Sequence, residues 1–452
     1  MRKSFVCLAG LACCGVTAAV ACDNQGTVAL PYQDGGPDTS TGFDGSTPFD
    51  AGMFVDSAAP ADGGGDVTDA GPTPPSRLLL SYNGSSSSEL VAFGMQSKVV
   101  DGRMTYQDYL GTAYVGTTAP WLLEQSTDIV AELEPQAPWM VESSWNVAMN
   151  DLTDAGYAQP YSDPQAVIVG AGTQAYVLRY NRNLIAVINT ATPVDGGVPT
   201  SSIDLTSEVQ AGGDGYVQPI AGVYVAGQQR VYVLLGNINR NDVVNDGYDL
   251  LCSSTTPTII AINTATNTLV DLNGSAAGNG WPLVGFSPAF GAGALAYDPS
   301  TGASGRLLVL DNGCYGTATD GGLGALTKRE VEQVDLGTGT ATELLDLTAQ
   351  QFPSGLTYID AHHAIVQLDT AYLWDPTTTT LGAAIPNAPD EFVYDGVGNL
   401  LGVTSNYGAD GGFEGYSVVS VAVPAGTVTM LGSNPFLLTG GFLGGVSLWP
   451  AP

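Results

Sequence analysis

At 452 residues the chain could hold two or three average domains, so its length alone decides little. Charged residues are only 12%, about half the usual share, and 59 glycines beside abundant Thr, Val and Ala favour short strands and turns. The formal net charge of -32 repels phosphate backbones and anionic headgroups, which argues against a nucleic-acid partner and gives the acid a role in solubility and repulsion between copies.

The first elements in the chain concern export. Arg2 and Lys3 make a basic start, Ser4 to Val20 an apolar segment and Ala19-Val20-Ala21 a small-residue cleavage site, so residues 1–21 read as a signal peptide. Cys22 follows at once. An apolar segment ending in a small residue and then cysteine resembles the lipobox of bacterial lipoproteins, with Ala19 where that family prefers Leu. The resemblance implies that Cys22 is lipidated and becomes the mature amino terminus. It also implies an exported cell-envelope protein anchored to a bacterial membrane, the outer membrane favoured. Ala-Val-Ala also suits an ordinary signal peptidase, which leaves a secreted protein with a free Cys22 as the alternative.

Residues 22–76 pass through Asp34-Gly35-Gly36-Pro37-Asp38, Asp62-Gly63-Gly64-Gly65-Asp66 and Pro72-Thr73-Pro74-Pro75 without one Lys or Arg. Such a segment cannot bury enough apolar surface to offset its ordering entropy, and its like charges extend it, so a disordered acidic tether is expected. Its aspartates lack the spacing of a calcium loop. No later stretch reaches the 18 apolar residues of a membrane-spanning helix.

From Arg77 the pattern changes to short apolar runs bounded by Gly, Asn, Asp, Pro and Thr, and these runs repeat. Gln174 to Asn181 with Leu184 to Thr192, Arg230 to Asn237 with Thr258 to Thr266, and Arg306 to Asn312 with Val331 to Gly339 each read strand, loop, strand and then an Asn/Thr/Gly turn. Weaker copies begin at Arg77, Trp121, Ala364 and Asn399, and a further apolar run such as Ala166 to Val169 or Gly222 to Val225 precedes most units. Seven four-stranded units predict an all-β propeller over residues 77–452. The copy at Arg77 lacks its leading strand, while Phe442 to Pro450 is an orphan matching Phe290 to Pro299, so the carboxyl end is expected to close the ring. With its Ile-Asn-Thr turns the region resembles the broad propeller superfamily of bacterial surface proteins, a resemblance that implies no substrate.

Cys252 and Cys314 fall in the loops after the second strand of neighbouring units, and in an exported protein that placement predicts a disulfide. The loop Asn237 to Asp249 offers a candidate ion site. Asn237, Asn239 and Asn241 have the alternate spacing of calcium ligands, with Asp242, Asp246 and Asp249 as further oxygens, but Asp242 stands where Gly is needed and no Glu closes the loop. The bland alternative is a polar loop capping its own turns. His362 and His363, the two histidines, are neighbours at the entry to a strand and so point to opposite faces, and no nucleophile motif accompanies them. Trp374 and Trp449 sit at strand ends where packing is the expected role.

These features favour a membrane-anchored binding or scaffolding module that uses the propeller face carrying the loops after Asn237, Asn312 and Ser405. An envelope protein or a carbohydrate would be the partner. No catalytic residue is nominated and no cofactor is expected beyond calcium at the Asn237 loop. A propeller enzyme of the lactonase, lyase or quinoprotein kind is the alternative, as is a purely structural envelope lipoprotein; fold does not choose between them.

Overall fold

The computed structural model describes residues 77–449 other than 108–109, 111–113, 116–118, 135–139, 150, 152–160, 171, 192, 240–242, 245–248, 253–254, 275–277, 286–287, 289–291, 318–322, 351–352 and 439–440. The expected signal peptide, Cys22 and the tether lie outside the described residues.

Consecutive residues of a strand point to opposite faces, and here both faces are apolar. Val231, Val233 and Leu235 pack with the preceding unit, while Tyr232 and Leu234, between them in sequence, pack with the following one. Leu78 and Leu80 likewise face backward along the ring and Leu79 faces forward. A sheet buried on both faces needs a neighbour on each side, and the arrangement that gives every sheet two neighbours is a ring. The chain accordingly forms seven radial blades of a β-propeller, with almost no helix.

Each blade runs outward from an inner strand. In the third blade the order is Pro164–Val169, Gln174–Arg179, Leu184–Asn189 and Ser201–Asp204; in the fourth it is Pro219–Val225, Arg230–Leu235, Thr258–Asn263 and Thr268–Val270. The sixth blade has three full strands, Gly355–Asp360, His363–Gln367 and Ala371–Trp374, and its fourth shrinks to one bridge between Tyr372 and Ala384. The first blade is assembled from both ends of the domain. Phe442–Trp449 forms its inner strand, antiparallel to Arg77–Asn83, with Trp449 opposite Arg77 and Phe442 opposite Asn83. A side chain at Gly444 would collide with the Leu110 carbonyl and the Asn83 and Ser81 side chains, so glycine is needed where the closing strand meets the crossover.

The Ile-Asn-Thr turns have a local cause. Asn189 Oδ1 accepts the Ala191 amide and Asn263 Oδ1 the Ala265 amide, both at 2.9 Å, so each asparagine caps its own turn. The following threonine clamps the blade's first hairpin: Thr264 donates through both its amide and its hydroxyl to the Gln229 carbonyl at 3.0 Å, and the Thr190 amide donates to Thr173. Asp335 and Asp375 cap the corresponding turns of the fifth and sixth blades, and Asp395 caps the first hairpin of the seventh. Much of the acid is therefore spent on backbone amides. Trp374 and Trp449 are buried in the interblade core, as their strand-end positions suggest.

Candidate binding face

The inner strands all start on one face of the ring, so that face also carries the crossovers between blades and the loops joining second to third strands. Its longest loops between second and third strands run from Leu235 to Thr258 and from Asp311 to Glu330, and each contains a small ribbon: Val243–Val244 with Asp249–Leu250, and Tyr315–Thr317 with Leu323–Leu326. A disulfide between Cys252 and Cys314 joins the two loops, with their Cα atoms 5.0 Å apart. The Cys252 amide donates to the Tyr315 carbonyl at 2.8 Å, and Leu251 bridges Tyr315 in parallel, so the ribbons are sewn together by backbone as well as sulfur. The bond spans 62 residues, a loop for which chain entropy gives a stabilisation of about 4 kcal/mol at most. A Cys252→Ala, Cys314→Ala chain should therefore unfold at lower denaturant, with an m-value equal to or above that of the crosslinked chain because its unfolded state is freer to expand; an unchanged midpoint would show that the backbone stitching alone suffices.

Buried side-chain acceptors fix the crossovers. Asn83 Oδ1 takes the Leu110 amide at 2.6 Å, Asp128 takes the amide and hydroxyl of Ser162, and Asn183 Oδ1 takes the Val217 amide at 3.0 Å. Glu332 receives the amides of Val284 and Gly285 at 2.7 and 2.6 Å, and Glu89 holds Arg103 together with the amides of Leu437 and Leu438. In the third blade Asp151 bridges two buried arginines, Arg179 through Oδ1 at 2.6 Å and Arg182 through Oδ2 at 2.7 Å. These hydrogen bonds and ion pairs tie described parts of the crossovers to the blades, and none of the residues is singled out by the sequence.

Glu332 is fully buried and faces Asp311, with which it crowds the backbone at Gly285. Burial first, and the Asp311 carboxylate second, push its carboxyl up to about 7 against the pull of the two amides. Glu330, on the same strand, is also pushed up to about 7, by burial and then by Glu332.

Of the nominated ion ligands, the structure describes the side chains of Asn237 and Asn239. Asn237 is buried, with its backbone in the left-handed region at φ 49°, and its amide nitrogen donates to the Thr256 carbonyl and Thr258 hydroxyl at 3.1 and 3.0 Å. Asn239 donates to the Gly212 carbonyl at 3.3 Å. Asp249 belongs to the short ribbon, while Asn241, Asp242 and Asp246 lie outside the described residues. Among the described residues no three His, Cys, Asp or Glu side chains group around a metal position. His362 and His363 sit on the opposite face in a first-hairpin turn, where His363 meets Asp360 at 2.9 Å and His362 meets Asp375 at 3.4 Å.

Two regions of the long-loop face remain chemically open. At the centre, the seven inner strands bear no Lys, Arg or His; their acids are Asp298, paired with Arg306 at 2.7 Å, Asp360 at the far end, and Glu391 at the mouth. Burial and the neighbouring Asp390 push the Glu391 carboxyl up to about 7. At the rim, the second and third strands of the seventh blade, Asn399–Tyr407 and Phe413–Ala422, run to 9 and 10 residues where those of other blades have at most 7. The extra length carries Tyr407 and Phe413 out, 53% and 50% exposed. Their rings meet edge to face at 5.9 Å, and the contact continues through Tyr416 and Phe436 to the buried Tyr82. This ladder is visible in sequence only as aromatics near a Gly-Ala-Asp-Gly-Gly turn.

The chain is similar to solved structures at low sequence identity. A functionally unknown protein from Desulfotomaculum acetoxidans matches with 11% identity and a TM-score of 0.48, covering 82% of this chain and 99% of that one. A candidate 6-phosphogluconolactonase from Bacteroides fragilis matches with 10% identity and a TM-score of 0.46, covering 85% and 99%. These likenesses bring no activity, ligand or partner to this chain. No protein-family model matches it, and no curated protein does.

Proposed function

We propose that the chain is a lipid-anchored cell-envelope protein whose propeller holds a partner protein or glycan on its long-loop face. The observation that carries the binding role is the contrast between the two open regions. The inner strands offer no basic side chain or histidine, whereas the seventh-blade hairpin presents Tyr407 and Phe413 to solvent on a rigid base. Exposed aromatics on a fixed scaffold give contact area at small entropic cost. A lactonase, lyase or quinoprotein reading asks for several His, Glu or Arg side chains converging on the channel, and among the described inner-strand residues Glu391 is the one of these types at its mouth. The anchor rests on the Ala-Val-Ala-Cys22 sequence.

Two measurements test the parts separately. On cell fractionation the natural chain should follow the membrane and Cys22→Ala should enter the soluble envelope fraction; equal membrane retention overturns the anchor. A photocrosslinker at Tyr407 should label envelope components about tenfold more than one at the exposed Thr377 on the opposite face. Equal labelling at the two positions overturns the binding face.

A further inference from the structure

The rim of a propeller is a set of outer strands, each with unpaired amides and carbonyls that can template another chain. Six of the seven rims here are protected. The first blade's Val100–Tyr106 carries Asp101 and Arg103, and the fifth blade's Ala341–Asp346 carries Glu343 and Asp346. The second blade's Val141–Asn146 is covered: the Ser144 amide donates to the Val194 carbonyl at 2.7 Å and the Asn146 amide to the Gly197 carbonyl at 2.9 Å. In the third and fourth blades the outer strand has 4 and 3 residues, the former ending on Asp204, and in the sixth it is a single bridge.

The seventh blade departs from this pattern. Its outer strand, Thr427–Ser433, has 7 residues, Thr-Val-Thr-Met-Leu-Gly-Ser, with no charge and no proline. Thr427 to Met430 are exposed on both faces, with Val428 at 45% and Met430 at 58%. The Gly426 amide closes the hairpin on the Ala422 carbonyl, so Ala422 and Thr427 form its first pair and Ser420 and Thr429 the next bonded pair. The N–H and C=O groups of Val428 and Met430 are then directed away from the blade.

We infer that this strand pairs with itself across a two-fold axis at Thr429, joining two copies of the chain through one continuous sheet. The register is self-complementary. Val428 of one copy lies opposite Met430 of the other, so each exposed apolar side chain covers its counterpart, and the outward backbone groups of both residues are satisfied. The strip itself carries no charge, so a second copy can meet it there without opposing carboxylates, whereas the net charge of -32 sets the rest of the two surfaces against each other. An isologous contact uses up the edge on both partners, so the assembly stops at two instead of growing into a fibre. The pairing is independent of what the long-loop face binds.

Cysteine trapping tests it in the full exported chain with Cys22→Ser. Directly opposed residues of a non-hydrogen-bonded antiparallel pair lie about 4.5 Å apart at Cα, within disulfide reach. Thr429→Cys should therefore crosslink under mild oxidation at least about tenfold faster than Ser202→Cys, an exposed position on the third blade's outer strand. Adding Met430→Lys should return the rate to that of the control, because like charges then face Val428 beside the axis. Equal rates at the two cysteines, or a Thr429→Cys rate indifferent to Met430→Lys, overturn the pairing.

Discussion

Deleting Phe442 to Pro452 should leave a domain that no longer folds cooperatively at 37 °C. The closing strand buries Leu443, Val446, Leu448 and Trp449, and burying each such side chain is worth about 1.5–3 kcal/mol, so about 6–12 kcal/mol is at stake. That is comparable with the whole stability of a typical domain, about 5–15 kcal/mol. The loss goes beyond the strand itself. Leu78 and Leu80 pack with Val393, Leu401 and Val403 of the seventh blade in the same cluster as Leu443, Val446 and Leu448, so the interface between first and last blades opens as well. Thermal melts by circular dichroism would show a broad transition at much lower temperature and aggregation through the freed edge of Arg77–Asn83. Removing Asp34 to Thr73, which precedes the domain, should leave melting unchanged. A carboxyl-terminal truncation that melts with the intact chain would mean that the seven-blade ring does not depend on its closing strand.

The second large effect is a stability that falls as pH rises toward neutrality. Glu332 and Glu330 hold their protons to about pH 7 when folded, against an ordinary value of 4.5. Between those limits the folded chain binds protons that the unfolded chain has released, so raising the pH through this window favours unfolding. For Glu332, fully buried, the shift corresponds to about 3 kcal/mol, and Glu330 adds in the same direction. Below the window the sign reverses: Asp335 and Asp346 are held below 3.8 mainly by the amides of Thr338 and Thr348, and that stabilisation is lost as pH falls through their folded values. Maximum stability is therefore expected near pH 4.5. Denaturant melts from pH 4 to pH 8 read it directly, and Glu332→Gln should flatten the upper part of the profile. Stability that is constant or rising between pH 4.5 and 7 would show that the Glu332 carboxyl ionises normally in the fold.

Several features of this domain were written in single short stretches of chain. Arg230 to Leu235 is apolar on both faces, which requires a neighbour on each side, and Asn263-Thr264 carries the cap and the clamp of its own turn. The unit missing its first strand at Arg77 and the orphan strand at Phe442 were likewise legible as a matched pair, because each lacks what the other supplies. Cys252 and Cys314 were placed by aligned loops, whose equivalence follows from the repeat.

The long-loop face was decided only by the folded ring. Glu89 and Leu437 are 348 residues apart, Asn83 and Leu110 27 apart, and Glu332 and Gly285 47 apart, so no local pattern marks an acceptor for its crossover. The same holds for Asn237, whose amide nitrogen donates to Thr256 and Thr258 across the loop, a pairing that its spacing to Asn239 does not announce. Whether an outer strand is guarded also depends on the neighbour: Val141–Asn146 is shielded by residues of the next blade, while among the described residues Thr427–Ser433 has no such backbone cover. Sequence fixes what a strand wants on its two faces, because side-chain alternation is local. Edges and crossovers are satisfied by whichever backbone arrives beside them, and that is settled by ring closure.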